Sequence, residues 1–120
     1  MAENRLFVRY GLPGTILFQP TEGKPRTVKG ELVDVSFRGV AAYSDESLPK
    51  DALFRFLLLS KEFDVRMGGV GKIIYSQPIV RRNATMFRLA VEFTSVDSDL
   101  VREIMTKLEK VLEPKEPNQP

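Results

Sequence analysis

The sequence predicts a small, mainly β protein: an antiparallel barrel of roughly six strands carrying one C-terminal α-helix. Three observations carry this expectation. Apolar residues recur with period two, most cleanly where Phe87, Leu89, Val91 and Phe93 alternate with Arg88, Ala90 and Glu92. No helical pattern falls between the predicted strands, which excludes a doubly wound α/β fold. After Phe93 the period changes to that of a helix, with Leu100, Val101, Ile104, Met105, Leu108, Val111 and Leu112 on one stripe. Closing the sheet into a barrel disposes of exposed strand edges.

The elements follow in chain order. Residues 1–9 form a polar, basic arm, and the two glycines and proline of Tyr10-Gly11-Leu12-Pro13-Gly14 disfavour helix beyond it. Residues 15–19 read as a strand, and 20–25 as a turn-rich loop. A longer strand is predicted from about Arg26 to Phe37, with Val33, Val35 and Phe37 on one face and Leu32, Asp34 and Ser36 on the other. Residues 39–43 resume as a strand, and 44–51 form a polar loop. Residues 52–59 are apolar on both faces, which predicts a more deeply buried strand. Gly68, Gly69 and Gly71 predict a bulge or sharp coil within the next strand, which continues over 72–76. Residues 77–83 read as a loop exposing Arg81 and Arg82, and the final strand covers 86–93. Asp97 or Ser98 caps the helix, Pro114 ends it, and 114–120 is expected to be a disordered tail. The predicted organisation is an arm over 1–9, one barrel-and-helix domain over 10–113, and the tail.

Composition narrows the function classes. The 120 residues leave room for one core. Neither cysteine nor histidine is present, so disulfides, thiolate nucleophiles, imidazole bases and nearly all zinc sites are excluded. No carboxylate cluster has a calcium-loop spacing, and no cofactor or metal is expected. No apolar run approaches bilayer length and no signal segment stands at the N-terminus, so a cytoplasmic chain without membrane insertion is expected. No motif joins a nucleophile to a base, so no enzymatic activity is expected.

The most informative stretch is Asp34-Val35-Ser36-Phe37-Arg38-Gly39, a strand end presenting a carboxylate, a hydroxyl and bare backbone. Chance predicts roughly 0.02 occurrences of Asp-x-Ser-x-x-Gly in a chain of this composition. The pair Arg5 and Arg9, roughly 13 Å apart if extended, is uninformative alone but supplies forked cations ahead of that stretch. Guanidinium groups fork onto phosphate or the O6/N7 edge of guanine, and a carboxylate accepts from the guanine N1 and N2 hydrogens. The set suits a compact anion bearing guanine.

Arg5-x-x-x-Arg9 followed by Asp34-x-Ser36-x-x-Gly39 resembles the two-part signature of PilZ domains, bacterial receptors for cyclic di-GMP. Gly71-Lys72-Ile73-Ile74-Tyr75, the segment from Phe87 to Phe93 and the terminal helix resemble the later part of that family, so the likeness covers about residues 5–112. It implies a six-stranded barrel whose arginine arm folds over the dinucleotide. Arg5 and Arg9 would hold phosphate and guanine, Asp34 and Ser36 would meet a guanine edge, and Gly39 would allow close packing. Asn4, Arg38 and Arg88 are additional candidate contacts. Asn4 stands where many members carry arginine, and Ala90 where the late strand often has glycine. The resemblance further implies a receptor in motility or biofilm control that changes shape on binding and acts on a protein partner. The rival readings are a PilZ-like adaptor for pilus or flagellar control that binds no nucleotide, and an oligonucleotide-binding barrel using Arg81, Arg82 and Arg88. The second lacks a stripe of aromatics among its cations, so no nucleic-acid polymer is expected as partner.

Overall fold

The computed structural model describes residues 8–115. Seven strands and one helix follow in order: β1 (Tyr10–Gly11), β2 (Thr15–Pro20), β3 (Val28–Val35), β4 (Gly39–Ser44), β5 (Leu53–Ser60), β6 (Val65–Arg81), β7 (Ala84–Ser95) and α1 (Ser98–Val111). They pair in the order β1-β3-β2-β5-β6-β7-β4, and a further β3–β4 pairing closes the ring. The six strands β2 to β7 therefore make the closed antiparallel barrel that the sequence predicts. β1 is a two-residue addition to the β3 edge, with Tyr10 opposite Val35 and Gly11 opposite Asp34.

Alternation decides what lies inside. Ile16 and Phe18 from β2, Phe54, Phe56 and Leu58 from β5, Ile73 from β6, and Leu89 and Val91 from β7 are buried. Phe18 and Phe54 meet edge to face with ring centroids 6.1 Å apart. The helix adds Val101, Ile104, Met105 and Leu108 to the same core. Its N-cap is Asp97, whose carboxylate accepts from the N–H groups of Asp99 and Leu100 at 3.0 and 3.2 Å. Val111 departs from the predicted stripe: it is the last residue of the helix and is 58% exposed.

Several predicted elements are corrected. β5 is not buried on both faces: Phe54, Phe56 and Leu58 point inward, whereas Leu53 is 45% exposed and Leu57 and Leu59 are half-buried. A small closed barrel has one interior, so the outward apolar residues stay near its surface. The loop expected over 77–83 is strand through Arg81, turning only at Arg82 and Asn83, which have φ of 54° and 62°. Positive φ at both central residues is what a two-residue hairpin requires. Pro78 is tolerated because β5 pairs with β6 only as far as Lys72, leaving that edge of β6 without a ladder to interrupt. Arg81 consequently lies on the barrel wall, over the Tyr43 ring at 4.5 Å and 2.8 Å from the Glu31 carboxylate. Of the segment 114–120 expected as a tail, Pro114 and Lys115 fall among the described residues, and the Lys115 N–H donates to the Arg9 carbonyl at 2.8 Å.

Two bulges reorient the wall. On β3, Leu32 faces Ala42 and Asp34 faces Ala41, so Val33 is an extra residue. Because Leu32 points inward, uninterrupted pairing would place Asp34 inside as well; the added residue sends it to the outer face. The predicted face shared by Val33, Val35 and Phe37 is broken there, and Val35 alone is fully buried. On β6, Ile73 faces Val91 and Tyr75 faces Ala90, with Ile74 as the extra residue. Inward-pointing Ile73 would otherwise be followed by an inward Tyr75. The glycine-rich part of β6 also shifts register, between Val70 and Gly71, as its composition predicts.

Candidate functional site

The two reoriented residues share one cross-strand row. Asp34 lies opposite Ala41, Ala41 opposite Ala90, and Ala90 opposite Tyr75, across β3, β4, β7 and β6. With strands roughly 4.8 Å apart, the row spans roughly 14 Å. A carboxylate stands at one end, a 41%-exposed aromatic ring at the other, and two methyl groups floor the space between. These residues line a shallow cavity of about 200 Å³, together with Arg9, Arg38, Arg88 and Glu92.

Asp34 is the electrostatic centre. Its side chain is only 4% exposed, and one oxygen, Oδ2, faces three cations. Arg9 Nη1 donates to it at 3.3 Å, Lys115 Nζ at 3.2 Å, and Arg88 Nη2 approaches to 3.9 Å. A buried carboxylate needs such partners to offset its lost hydration. Arg38 Nη2, at the rim, lies 3.6 Å from Glu92 Oε2. The cavity and its edge thus set four cations against two carboxylates, an excess that favours an anionic ligand.

Ser36 and Gly39 do different work from Asp34. The Ser36 hydroxyl accepts from the N–H groups of Arg38 and Gly39 at 3.2 and 3.3 Å and lies 3.4 Å from the Gly39 carbonyl. The Ser36 N–H also donates to that carbonyl at 2.9 Å. Ser36 therefore organises the β3–β4 turn from within. A Cβ on Gly39 would sit 1.9 Å from the Val91 carbonyl oxygen, so the missing side chain lets β4 meet β7. The pair fixes the turn that presents Arg38 and sets Ala41 in register.

Of the residues singled out in the sequence, the structure thus brings together Arg9, Asp34, Ser36, Arg38, Gly39 and Arg88. Asn4 and Arg5 lie outside the described residues. Three contributors escaped the sequence reading. Tyr75 was hidden by the bulge at Ile74, and Ala41 carries no chemical signal of its own. Lys115 is 81 residues from the carboxylate it meets. No group of His, Cys, Asp and Glu among the described residues could hold a metal ion. No helix among them is long and apolar enough to cross a membrane.

Comparison with known proteins places this geometry in a family. The family model described as PilZ domain matches residues 3–110. The fold is similar to the PilZ domain with c-di-GMP of YcgR from Escherichia coli, with a TM-score of 0.63 at 18% identity, covering 85% of this chain and 88% of that one. It is also similar to the K. pneumonia MrkH–c-di-GMP complex, with a TM-score of 0.69 at 16% identity over 86% of this chain and 49% of that one. PlzA of Borreliella burgdorferi, solved in complex with c-di-GMP, gives a TM-score of 0.57 at 15% identity over 83% of this chain and 45% of that one. The chain spans about half the length of the latter two proteins. None of the curated proteins matches it.

Proposed function

The chain belongs to the PilZ domain family, and from that premise we propose that it is a cyclic di-GMP receptor that passes ligand occupancy to a protein partner in motility or biofilm control. The observation that carries the reading is the row from Asp34 to Tyr75, a carboxylate and an aromatic ring facing each other over an alanine floor and ringed by arginines.

Each part matches a piece of the ligand. Asp34 accepts from the N1 and N2 hydrogens of one guanine, an edge that presents donors where a phosphate presents none. The base lies on Ala41 and Ala90, whose small side chains leave room for a flat ring. Tyr75 supplies an aromatic face at the far end, where stacking on a base contributes roughly 1–3 kcal/mol. Arg9 and Arg88 turn from Asp34 to the O6/N7 edge or to phosphate, which their planar fork suits. Arg5 and Asn4, outside the described residues, are assigned to the ligand by the family motif alone. Arg38 contributes charge at the rim. Ser36 and Gly39 act by holding the turn.

Calorimetric titration with cyclic di-GMP tests the proposal. Saturable binding is expected, weakened by about 1–3 kcal/mol in Arg9→Ala if Arg9 makes a forked contact. Absence of heat and of any melting shift at millimolar ligand would overturn it.

A further inference from the structure

Asp34 is already engaged by the chain's own C-terminal segment, and the manner of engagement points to a built-in competitor. α1 ends at Val111, and three residues beyond its cap at Leu112 the chain reaches Lys115. The Lys115 N–H donates to the Arg9 carbonyl at 2.8 Å, and its Nζ donates to Asp34 Oδ2 at 3.2 Å. Its stem passes Gly11, the residue paired with Asp34 across β1 and β3: a Cβ there would lie 3.9 Å from Lys115 Cδ. Arg9 and Lys115 therefore meet over one carboxylate, with the Lys115 side chain only 17% exposed.

We infer that residues 113–115 form a strap whose Lys115 ammonium stands in for the guanine N–H donors at Asp34, so that strap docking and ligand binding exclude one another. The inference rests on the proposal that a guanine edge binds Asp34. Two observations support it. Asp34 Oδ2 already accepts from Lys115 and Arg9 and faces Arg88, so a guanine edge that pairs its two donors with both carboxylate oxygens must displace a donor from Oδ2. Lys115 follows α1 and belongs to no strand, so its departure breaks no barrel ladder. Because the strap is tied to the Arg9 carbonyl, opening it breaks that hydrogen bond in the same step. The affinity of the open site is reduced by the fraction of time the strap is docked.

Two measurements on the full chain decide the matter. In calorimetry, Lys115→Ala is expected to bind cyclic di-GMP about three- to tenfold more tightly than the unmodified chain. Equal binding overturns the strap and leaves the receptor reading intact. Weaker binding also overturns it, making Lys115 a ligand contact instead. If neither chain binds, the receptor reading fails and the strap has no competitor. In amide hydrogen exchange, saturating ligand is expected to speed exchange at Lys115, whose N–H is bonded to Arg9 in the strapped form. Unchanged or slower exchange at that amide under saturation overturns the inference even if the variant binds as expected.

Discussion

At the scale of single residues, Asp34 and Gly39 show how one short motif combines a ligand group with a structural one. Asp34→Asn keeps the side-chain shape but removes the charge that three cations share and places an amide donor where a guanine edge needs an acceptor. We expect stability in urea to fall by about 1–2 kcal/mol, since Arg9 is partly solvated and the loss is screened. Cyclic di-GMP affinity should fall by a further ~1–3 kcal/mol in the same calorimetric assay. Gly39→Ala acts through the fold. Its Cβ would lie 1.9 Å from the Val91 carbonyl oxygen and 2.9 Å from the carbonyl carbon, both backbone atoms that cannot rotate away. Separating β4 from β7 there should cost about 2–4 kcal/mol, read as a lower denaturation midpoint with an unchanged slope. A Gly39→Ala chain as stable as the unmodified one would show that the strand ends shift without penalty. The two substitutions thus separate binding from scaffolding inside one hexapeptide.

At the scale of elements, the site depends on two insertions into otherwise regular strands. The bulges at Val33 and Ile74 place Asp34 and Tyr75 on the same face as Ala41 and Ala90, at opposite ends of one row. Ala90→Leu tests the row with little risk to the fold, because the side chain points out of the barrel. Melting should move little, within the ~0.5 kcal/mol usual for surface changes, while cyclic di-GMP affinity drops at least about tenfold as the floor fills. Retained affinity would place the ligand elsewhere on the wall. These bulges also mark where the sequence became illegible. β7 and α1 are readable from hydrophobic period, and Asp34, Ser36 and Gly39 from their improbable spacing. Val33 and Ile74 are themselves apolar, so the alternation reads acceptably in either register and nothing local announces the extra residue. Pro78 acts in the opposite direction: a proline signals a loop, and only the end of the β5 pairing at Lys72 lets it sit in a strand. Lys115 meets Asp34 only because the helix returns the chain to the β1–β3 edge, a consequence of tertiary packing that no local pattern encodes.

At the scale of the whole molecule, barrel closure explains why ligand binding should be visible as global stability. Asp34 and Tyr75 stand on β3 and β6, which are not neighbours in the sheet but are joined through β4 and β7 by the closing pair. A ligand spanning that row connects four strands, and through Arg9 it also ties down the segment leading into β1. Such a ligand binds the folded chain and has no counterpart site in the unfolded one. At a concentration of 100 times Kd it contributes about 2.7 kcal/mol, which for a domain of this size raises Tm by roughly 10 °C. At the same concentration Asp34→Asn should keep only about 0.3–1.8 kcal/mol of that stabilisation, and Ala90→Leu no more than about half of it. Lys115→Ala carries a different signature. Losing the strap should lower Tm slightly without ligand, yet the ligand-induced rise should exceed that of the unmodified chain, because binding no longer has to displace a contact. A smaller rise than the unmodified chain, with the same baseline loss, would mean that Lys115 works for the ligand rather than against it. The sign of that difference reports on whether Lys115 competes with the ligand for Asp34.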